Sequence, residues 1–235
     1  TNEANQRENA KLSNQDDSEH KSSENDPNIN KDSTKESAKD ETDQEIASQH
    51  MQEPLKITTD TEWLKNSNLK ILEIGCGHAL PSSVFAFHLS NNIQRIDLQD
   101  YNEDVLKTTT YNNITLWNES MHEFDQNLEN VQVTYWGGDW EELTESMPKH
   151  EYDLILAAET LYAVESFEKQ WKLMKHCLKP ESGRIWIASK RYYYGVVCGT
   201  FAFSEMIREE ANVQVLEEIR NGLSNVREIL EVKLK

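Results

Sequence analysis

The sequence predicts an α/β domain built on a doubly wound, mainly parallel sheet. Short apolar segments alternate with helix-forming segments from about residue 68 to the end of the chain. These apolar segments are continuous rather than alternating in polarity, which is typical of strands that helices cover on both faces. The first of them ends in a glycine turn, ILEIGCGHA at residues 71–79. A turn at such a strand end is where open α/β sheets hold a ligand.

Five strand–helix pairs follow one another, and two further strands close the chain. Hydrophobic spacing predicts strands at residues 68–74, 95–99, 131–135, 152–158 and 184–189. It predicts helices at 81–89, 102–113, 141–147, 166–178 and 201–210, the second of them weakened by a run of threonines. Residues 213–219 and 226–234 predict an antiparallel hairpin around Asn221–Gly222. The expected architecture is a seven-stranded Rossmann-like sheet.

Composition divides the 235 residues into two parts. The first 50 residues contain no Phe, Trp, Tyr, Gly or Cys, and every aromatic residue lies from Trp63 onward. A segment of this kind cannot bury enough apolar surface to offset the entropy lost on ordering it. We therefore predict a disordered acidic tail over residues 1–55 and one folded domain over residues 56–235.

Charge and cysteine content exclude several classes of protein. A formal net charge of −18 disfavours direct nucleic-acid binding and suits a basic protein partner, although solubility alone also explains it. The three cysteines form no CxxC pair and the seven histidines show no metal-ligand spacing, so we predict neither a disulfide nor a metal site. We expect a reduced compartment, cytoplasm or nucleus, no membrane segment, and a monomer.

The glycine turn itself indicates which nucleotide it holds. Gly75 and Gly77 permit a tight turn and close approach of the backbone to a ligand. The third glycine of dinucleotide-binding turns is missing, and His78 and Leu80 crowd the place of a pyrophosphate. Glu73 would repel phosphate and attract the ammonium of a methionine moiety. The turn therefore favours S-adenosylmethionine over NAD, with a plain structural turn as the alternative.

Acidic and aromatic residues follow the second and third strands. In Gln99-Asp100-Tyr101, the carboxylate is placed to accept both ribose hydroxyls and the tyrosine to pack on adenine; a helix cap is the alternative for Asp100. In Gly138-Asp139-Trp140, the acid is placed to accept the adenine amine and the indole to cover the ring. Asp139 is also a candidate helix cap, and the two roles are compatible.

Two later strand ends carry candidates for the acceptor side of the site. Glu159 and Tyr162 follow the most apolar strand and are placed to bracket a methyl donor and an acceptor nitrogen; a first-turn acid with a packed tyrosine is the alternative. The fifth strand is followed by polar and aromatic residues that suit a substrate wall or an edge patch: Lys190, Arg191, Tyr192, Tyr193 and Tyr194.

Together these motifs resemble the eukaryotic histidine protein methyltransferases of the methyltransferase-like group. The resemblance covers about residues 68–235 and is most specific in QDYN (99–102), ETLY (159–162) and ASKRYYYG (188–195). It implies the seven-stranded S-adenosylmethionine-dependent methyltransferase fold and methyl transfer to a histidine ring nitrogen of a large-subunit ribosomal protein. It also implies cofactor contacts from the turn and from the motifs at 99–102 and 138–140, with Ala158 and Glu159 near the methyl donor.

The resemblance leaves other functions open. A D/E-x-x-Y/F element also occurs in sister families that methylate lysine, so a lysine acceptor is the first alternative. Residues 1–68 lack the glycine-rich segment with a Trp-Glu pair that the family carries upstream of the first strand, which makes an inactive binding module the second. The run of glycines after the tyrosines is also reduced here. A histidine acceptor needs no strong base, so Glu159, and after it Tyr162, are the candidates to hold its ring.

Overall fold

The computed structural model describes residues 61–66, 68–122, 130–193, 195, 198–220 and 226–235. The predicted tail at residues 1–55 and the predicted turn at Asn221–Gly222 lie outside these ranges, as does Tyr194. Within the described ranges, no helix is long and apolar enough to cross a membrane.

The fold is a single seven-stranded mixed sheet, as the sequence predicted. Its strands run in the spatial order β3-β2-β1-β4-β5-β7-β6. All neighbouring pairs are parallel except the two pairs that involve β7, which is antiparallel to both β5 and β6. In chain order, the strands are β1 Leu69–Ile74, β2 Ile93–Asp100, β3 Gln132–Gly137, β4 Leu154–Ala158, β5 Arg184–Lys190, β6 Ala211–Ile219 and β7 Arg227–Leu234.

Helices fill the connections between the strands. The described residues form six α-helices: α1 Leu80–Leu89, α2 Glu103–Val105, α3 Tyr111–His122, α4 Trp140–Leu143, α5 Phe167–Cys177 and α6 Thr200–Ile207. A π-helical turn at Leu106–Thr110 joins α2 to α3. Short 3₁₀ turns lie at Glu62–Lys65, Ser90–Asn92 and Val164–Ser166.

Two hydrophobic clusters pack against the sheet, and successive residues of β1 alternate between them. Ile71 belongs to one cluster with residues of α1, whereas Leu72 belongs to the other with residues of α5 and α6. All but one of the β1 residues are buried. Helices cover both faces, so the central strand β4 is apolar throughout, as predicted from its composition.

The largest differences from the predicted helix lengths lie in two places, and the predicted helix at 201–210 also ends earlier, at Ile207. The predicted second helix, 102–113, continues to His122 and changes to π geometry across the threonine run. The predicted helix at 141–147 is α-helical only over Trp140–Leu143, after which the chain turns. Helix ends depend on tertiary contacts that local sequence does not contain, whereas element type and order follow from hydrophobic spacing.

Candidate functional site

A cavity of about 490 Å³ opens at the carboxyl ends of β1–β4. Its volume lies within the range of small-molecule sites, about 300–1,000 Å³. Seven predicted cofactor residues and both predicted catalytic residues line it. The lining residues are Gly75, Asp100, Tyr101, Gly138, Asp139, Trp140, Ala158, Glu159, Thr160, Tyr162, Ala163, Glu165, Ser166 and Lys169.

The glycine turn after β1 needs its first glycine for two reasons. Gly75 has a φ of 59°, in the left-handed region that L side chains rarely adopt. A Cβ at this position would also lie 2.8 Å from Cγ2 of Thr160, which follows the neighbouring strand β4. The turn and the end of β4 are therefore packed directly against each other at the cavity.

Side chains from the next connection hold the backbone of the turn on both sides of Gly77. Asp100 Oδ2 accepts the Gly77 N–H at 2.9 Å, and the hydroxyl of Thr110 donates to the Gly77 carbonyl at 2.6 Å. Asn113 Nδ2 donates to the His78 carbonyl at 3.1 Å. The π-helical turn places Thr110 here, and π-bulges are frequent at functional sites. Gly77 itself is not among the cavity-lining residues.

The fully buried side chain of Gln99 forms hydrogen bonds that connect the ends of three strands. Its Oε1 accepts the Gly75 N–H at 3.1 Å and the indole N–H of Trp140 at 2.8 Å. Its Nε2 donates to the Gly138 carbonyl at 2.9 Å. The sequence predicted a cofactor contact, whereas the structure gives Gln99 no place in the cavity lining. It orients the residues that do line it.

Glu73 also lies away from the cavity lining, in contrast to the predicted ammonium contact. It is buried under the turn, and its Oε2 accepts the backbone N–H of Ser82 at 2.8 Å. Helix α1 begins after Ala79, which has no side chain able to cap it, so Glu73 satisfies one of its free N–H groups. Burial raises the pKa of the Glu73 carboxyl to about 7.

Asp100 and Tyr101 reach the cavity as predicted. Asp100 Oδ1 accepts the Asn102 N–H at 3.0 Å, in addition to the bond from Gly77 to Oδ2. The helix cap that was the alternative role for Asp100 belongs to Asn102, whose side chain accepts the Asp104 N–H at 2.9 Å. Each carboxylate oxygen has two lone pairs, so Asp100 keeps acceptor capacity toward the cavity. Tyr101 is 74% exposed.

Asp139 and Trp140 both line the cavity, and Asp139 also has the capping role that the sequence allowed. Asp139 Oδ1 accepts the Glu141 N–H at 2.9 Å and so caps α4, while the residue also lines the cavity. Lys169 Nζ lies 3.4 Å from the same oxygen. Because the Trp140 indole N–H is bonded to Gln99, the orientation of its ring is fixed at the cavity wall.

Glu159 and Tyr162 lie on the cavity wall beyond the end of β4. Glu159 has a φ of 54°, which is unusual for a residue other than glycine, and such strain clusters at functional sites. Its Oε2 accepts the hydroxyl of Tyr193 at 2.7 Å, and its Oε1 accepts Nε of Arg227 at 3.0 Å. Tyr162 is 62% exposed.

The predicted substrate wall after β5 divides into two groups, and none of its described residues lines the cavity. Tyr193 contacts Glu159 as described, and Lys190 Nζ lies 4.8 Å from the centroid of the Tyr193 ring. Arg191 forms ion pairs with Glu218 and Glu228. Tyr192 packs on Phe201, with ring centroids 5.5 Å apart, over a separate groove. The split follows the path of the chain after β5 ends at Lys190, because residues 191–193 lie beyond the strand and do not alternate as strand residues do.

Sequence reasoning missed the residues that follow Tyr162 and close one side of the cavity. These are Ala163, Glu165, Ser166 and Lys169, together with Thr160. The signal was weak: Glu165 and Lys169 are an acid and a base four residues apart at the start of a helix, a spacing that exposed helices share. Among the described residues, no group of three or more His, Cys, Asp or Glu could hold a metal ion.

Comparison with known proteins gives one family match and several relatives. A family described as lysine methyltransferase matches residues 28–196. A histidine protein methyltransferase 1 homolog of Dictyostelium discoideum is 33% identical over 171 residues, covering 72% of this chain and 51% of that protein. A homolog of the same name from Bos taurus is 27% identical and covers 73% of this chain and 50% of that protein. The chain spans about half the length of the curated relatives it matches.

Solved structures agree with the fold. A SAM-dependent methyltransferase from Aquifex aeolicus superimposes with a TM-score of 0.50 at 14% identity, covering 80% of this chain and 98% of that one. The methyltransferase CalH, in complex with SAH, superimposes with a TM-score of 0.53 at 14% identity, covering 72% of this chain and 52% of that one. The prediction of a seven-stranded S-adenosylmethionine-dependent methyltransferase fold is thus confirmed.

Proposed function

Because the chain belongs to the lysine methyltransferase family, we propose that it transfers a methyl group from S-adenosylmethionine to a protein. The acceptor that we propose is a ring nitrogen of a histidine side chain. The observation that carries this proposal is the position of Glu159. Its carboxylate is half exposed on the wall of the cavity, next to Ala158, and two side chains fix its orientation. The relatives named histidine protein methyltransferase 1 support the choice of acceptor.

The residues around the cavity fit S-adenosylmethionine. Asp100 keeps acceptor capacity for the ribose hydroxyls, and Asp139 supplies a second carboxylate for the adenine amine. Trp140 and Tyr101 offer aromatic surface for the adenine ring. The turn at Gly75 keeps backbone free of side-chain bulk. When bound, the cofactor supplies a methyl group on a positively charged sulfur.

The chemistry required of the protein is mainly orientation. Methyl transfer is an in-line displacement in which the acceptor nitrogen forms a bond to the methyl carbon while the carbon–sulfur bond breaks. A neutral imidazole, with a free pKa of about 6.5, already has the necessary lone pair. Glu159 would accept the N–H of the other ring nitrogen, which directs the reactive lone pair inward. The same carboxylate stabilises the positive charge that the ring gains.

A basic protein is the substrate that fits the charge of the chain, and a large-subunit ribosomal protein is our candidate. The formal net charge of −18 attracts a cationic partner and speeds its association. The exposed side chains of Glu141, Glu165 and Glu168 lie next to the cavity and its neighbouring groove. Action on such a substrate would place the protein in the cytoplasm and nucleus.

The test is labelled methyl transfer to purified ribosomal proteins, followed by mass-spectrometric mapping of the modified residue. We expect methylhistidine with the wild-type chain. Because Glu159 acts on the acceptor, Glu159→Gln should lower kcat roughly 100-fold while the Kd for S-adenosylmethionine, measured by calorimetry, changes less than about threefold. The control is Glu181→Gln, an exposed carboxylate in the turn before β5, which should match the wild type.

Three outcomes would contradict the proposal. Methyllysine in the mapped peptide would support the alternative acceptor that the family description names. Absence of S-adenosylmethionine binding would support an inactive binding module with the methyltransferase fold. An equal loss of turnover and cofactor affinity in Glu159→Gln would assign Glu159 to cofactor binding.

A further inference from the structure

Arg227 reaches the candidate catalytic carboxylate from an unexpected part of the fold. It is the first residue of β7, in the closing hairpin, and pairs in the sheet with Lys190 of β5. Its side chain passes β5 to reach Glu159, with Nε of Arg227 and Oε1 of Glu159 3.0 Å apart. We infer that Arg227 is a positioning residue, which holds the Glu159 carboxylate in its working orientation. This inference rests on the proposed function.

Glu159 needs such support because its main chain alone does not fix its side chain. The residue adopts a left-handed backbone conformation immediately after β4, with its N–H bonded to the Ala188 carbonyl at 2.8 Å. Its side chain is 46% exposed, so packing leaves it several rotamers. A long, half-exposed carboxylate without partners would sample orientations unsuited to an acceptor ring. Fixing it in advance removes that cost from the reaction.

Two donors hold the carboxylate, one on each oxygen. The Tyr193 hydroxyl donates to Oε2, and it also lies 3.2 Å from Ser189 Oγ on β5. Arg227 holds Oε1. Since each oxygen has two lone pairs, both donors can remain in place while the carboxylate accepts a third hydrogen bond from an acceptor imidazole. A residue that follows β5 and the first residue of β7 thus both contact Glu159, which follows β4.

The identity of the cation matters for the reaction. A guanidinium stays charged at all accessible pH values and cannot take a proton from the acceptor. A carboxylate beside a guanidinium accepts a hydrogen bond from it and can accept another from an acceptor ring. That combination suits an acceptor that is already neutral, such as imidazole, rather than an ammonium that must first lose a proton. The pair is therefore consistent with the histidine acceptor that we propose.

The main chain of Arg227 is paired with strands on both sides. Its strand β7 lies between β5 and β6, with Arg227 paired to Lys190 on one side and Ile219 on the other. The contact with Glu159 is the ion pair that the described residues show for Arg227, and it joins residues 68 positions apart in the chain. A long-range contact anchored on a central strand limits the movement of the carboxylate more than a pair within one loop would.

Steady-state kinetics on the full chain test the inference. In Arg227→Gln, we expect kcat to fall at least about tenfold while the Kd for S-adenosylmethionine and the melting temperature stay close to wild type. Arg227→Lys, which keeps the charge but not the planar fork, should recover part of the loss. The control is Arg208→Gln, an exposed arginine just after α6 that pairs with Glu205 and should leave kcat unchanged.

A double-mutant cycle separates positioning from a general structural role. If Arg227 acts through Glu159, then Arg227→Gln should have no further effect on kcat when Glu159 is already replaced by Gln. Additive losses in the double variant would overturn the inference. Unchanged kcat in Arg227→Gln would also overturn the inference. Increased kcat would overturn it too, because it would mean that Arg227 keeps Glu159 out of its active orientation.

A measurement independent of turnover distinguishes this inference from the proposed function. In protein labelled with ¹³C at the glutamate side-chain carboxyl, the Glu159 signal is assigned by its loss in Glu159→Gln. We expect that signal to move or broaden in Arg227→Gln and to stay unchanged in Arg208→Gln. If wild-type protein methylates no histidine but the signal responds to Arg227, the proposed function fails and the positioning contact stands. An unmoved signal overturns the contact.

Discussion

Strand β2 carries two carboxylates three residues apart that lie in opposite surroundings. Asp97 is fully buried, and Arg95 donates to both of its oxygens, with Nε 3.1 Å from Oδ1. The buried hydroxyl of Tyr152 donates to it as well. Asp100 lies at the end of the same strand, accepts two backbone N–H groups and lines the cavity.

The difference shows how one strand separates stability from ligand binding. The partners of Asp97 are side chains in a closed interior, where burial and the bond to Asp97 raise the pKa of the Tyr152 phenol. An unmatched charge there would have no water to solvate it. The partners of Asp100 belong to a turn at the mouth of the cavity. We therefore expect loss of Asp97 to reduce stability and loss of Asp100 to reduce ligand affinity.

The largest effect should come from Asp97→Asn. The variant leaves the guanidinium of Arg95 without its main counter-charge in a largely buried place, because Arg95 is only 16% exposed. Breaking such a pair costs about 3–5 kcal/mol of unfolding free energy. Urea unfolding followed by tryptophan fluorescence measures it. Glu181→Gln removes the same charge from an exposed turn and should change stability by less than about 0.5 kcal/mol.

The opposite result for Asp97→Asn would break the comparison. If the variant kept wild-type stability but bound S-adenosylmethionine more weakly, the interior pair would be coupled to the cavity rather than separate from it. We expect the Kd of the folded variant to stay within about twofold of wild type, because the Arg95, Asp97 and Tyr152 side chains do not line the cavity.

The next largest effect on stability should come from Glu73→Gln, and it should depend on pH. Burial raises the pKa of Glu73 from 4.5 to about 7, so the folded state binds the proton more tightly than the unfolded state does. Its contribution to stability is complete below pH 4.5 and is lost as pH rises through 7. Glu73→Gln stays neutral and keeps an oxygen for the Ser82 N–H. The unfolding free energy of wild type relative to this variant should fall by roughly 3 kcal/mol between pH 4.5 and 8.

Denaturant titrations of both proteins at several pH values measure this difference. A difference that stays flat with pH would mean that the Glu73 carboxyl ionises as easily in the folded protein as in the unfolded chain. Glu181→Gln serves again as the exposed control and should follow the wild type at each pH.

The sequence was sufficient for the fold and for the edge of the sheet that carries the site. Continuous apolar strands and a glycine turn depend on local chemistry, and Asp100, Asp139 and Glu159 follow strand ends that parallel topology brings together. The sequence did not indicate that Tyr193, rather than Tyr192, meets Glu159, because both tyrosines lie beyond the end of β5.

The sequence did not predict the long-range contacts. The residues near Glu73 in the chain do not indicate that its carboxylate accepts an N–H at the start of α1, because that contact depends on where the helix begins in space. Gln99 was likewise predicted to contact the cofactor, but its side chain forms hydrogen bonds with backbone groups that follow β1 and β3. Arg227 lies 68 residues from Glu159 in the chain and had no motif at all. Such contacts follow from tertiary packing.

The smallest change in stability, with the clearest change in binding, should come from Asp100→Ala. The variant removes an acceptor from the cavity and releases the N–H groups of Gly77 and Asn102, which can turn to water at this partly open position. Hydrogen bonds to charged groups contribute about 1.5–3 kcal/mol, so the Kd for S-adenosylmethionine should rise about tenfold to a hundredfold. Calorimetry measures it, and unchanged affinity would refute the ribose assignment.

Competition with nucleosides separates a lost ribose contact from a loosened turn. Wild-type protein should bind adenosine more tightly than 2′,3′-dideoxyadenosine, because only adenosine offers hydroxyls to the carboxylate. Asp100→Ala should bind the two nucleosides equally. If the variant still prefers adenosine, Asp100 acts only by holding the Gly77 N–H. Its role would then be structural like that of Asp97, and the contrast between the two carboxylates of β2 would disappear.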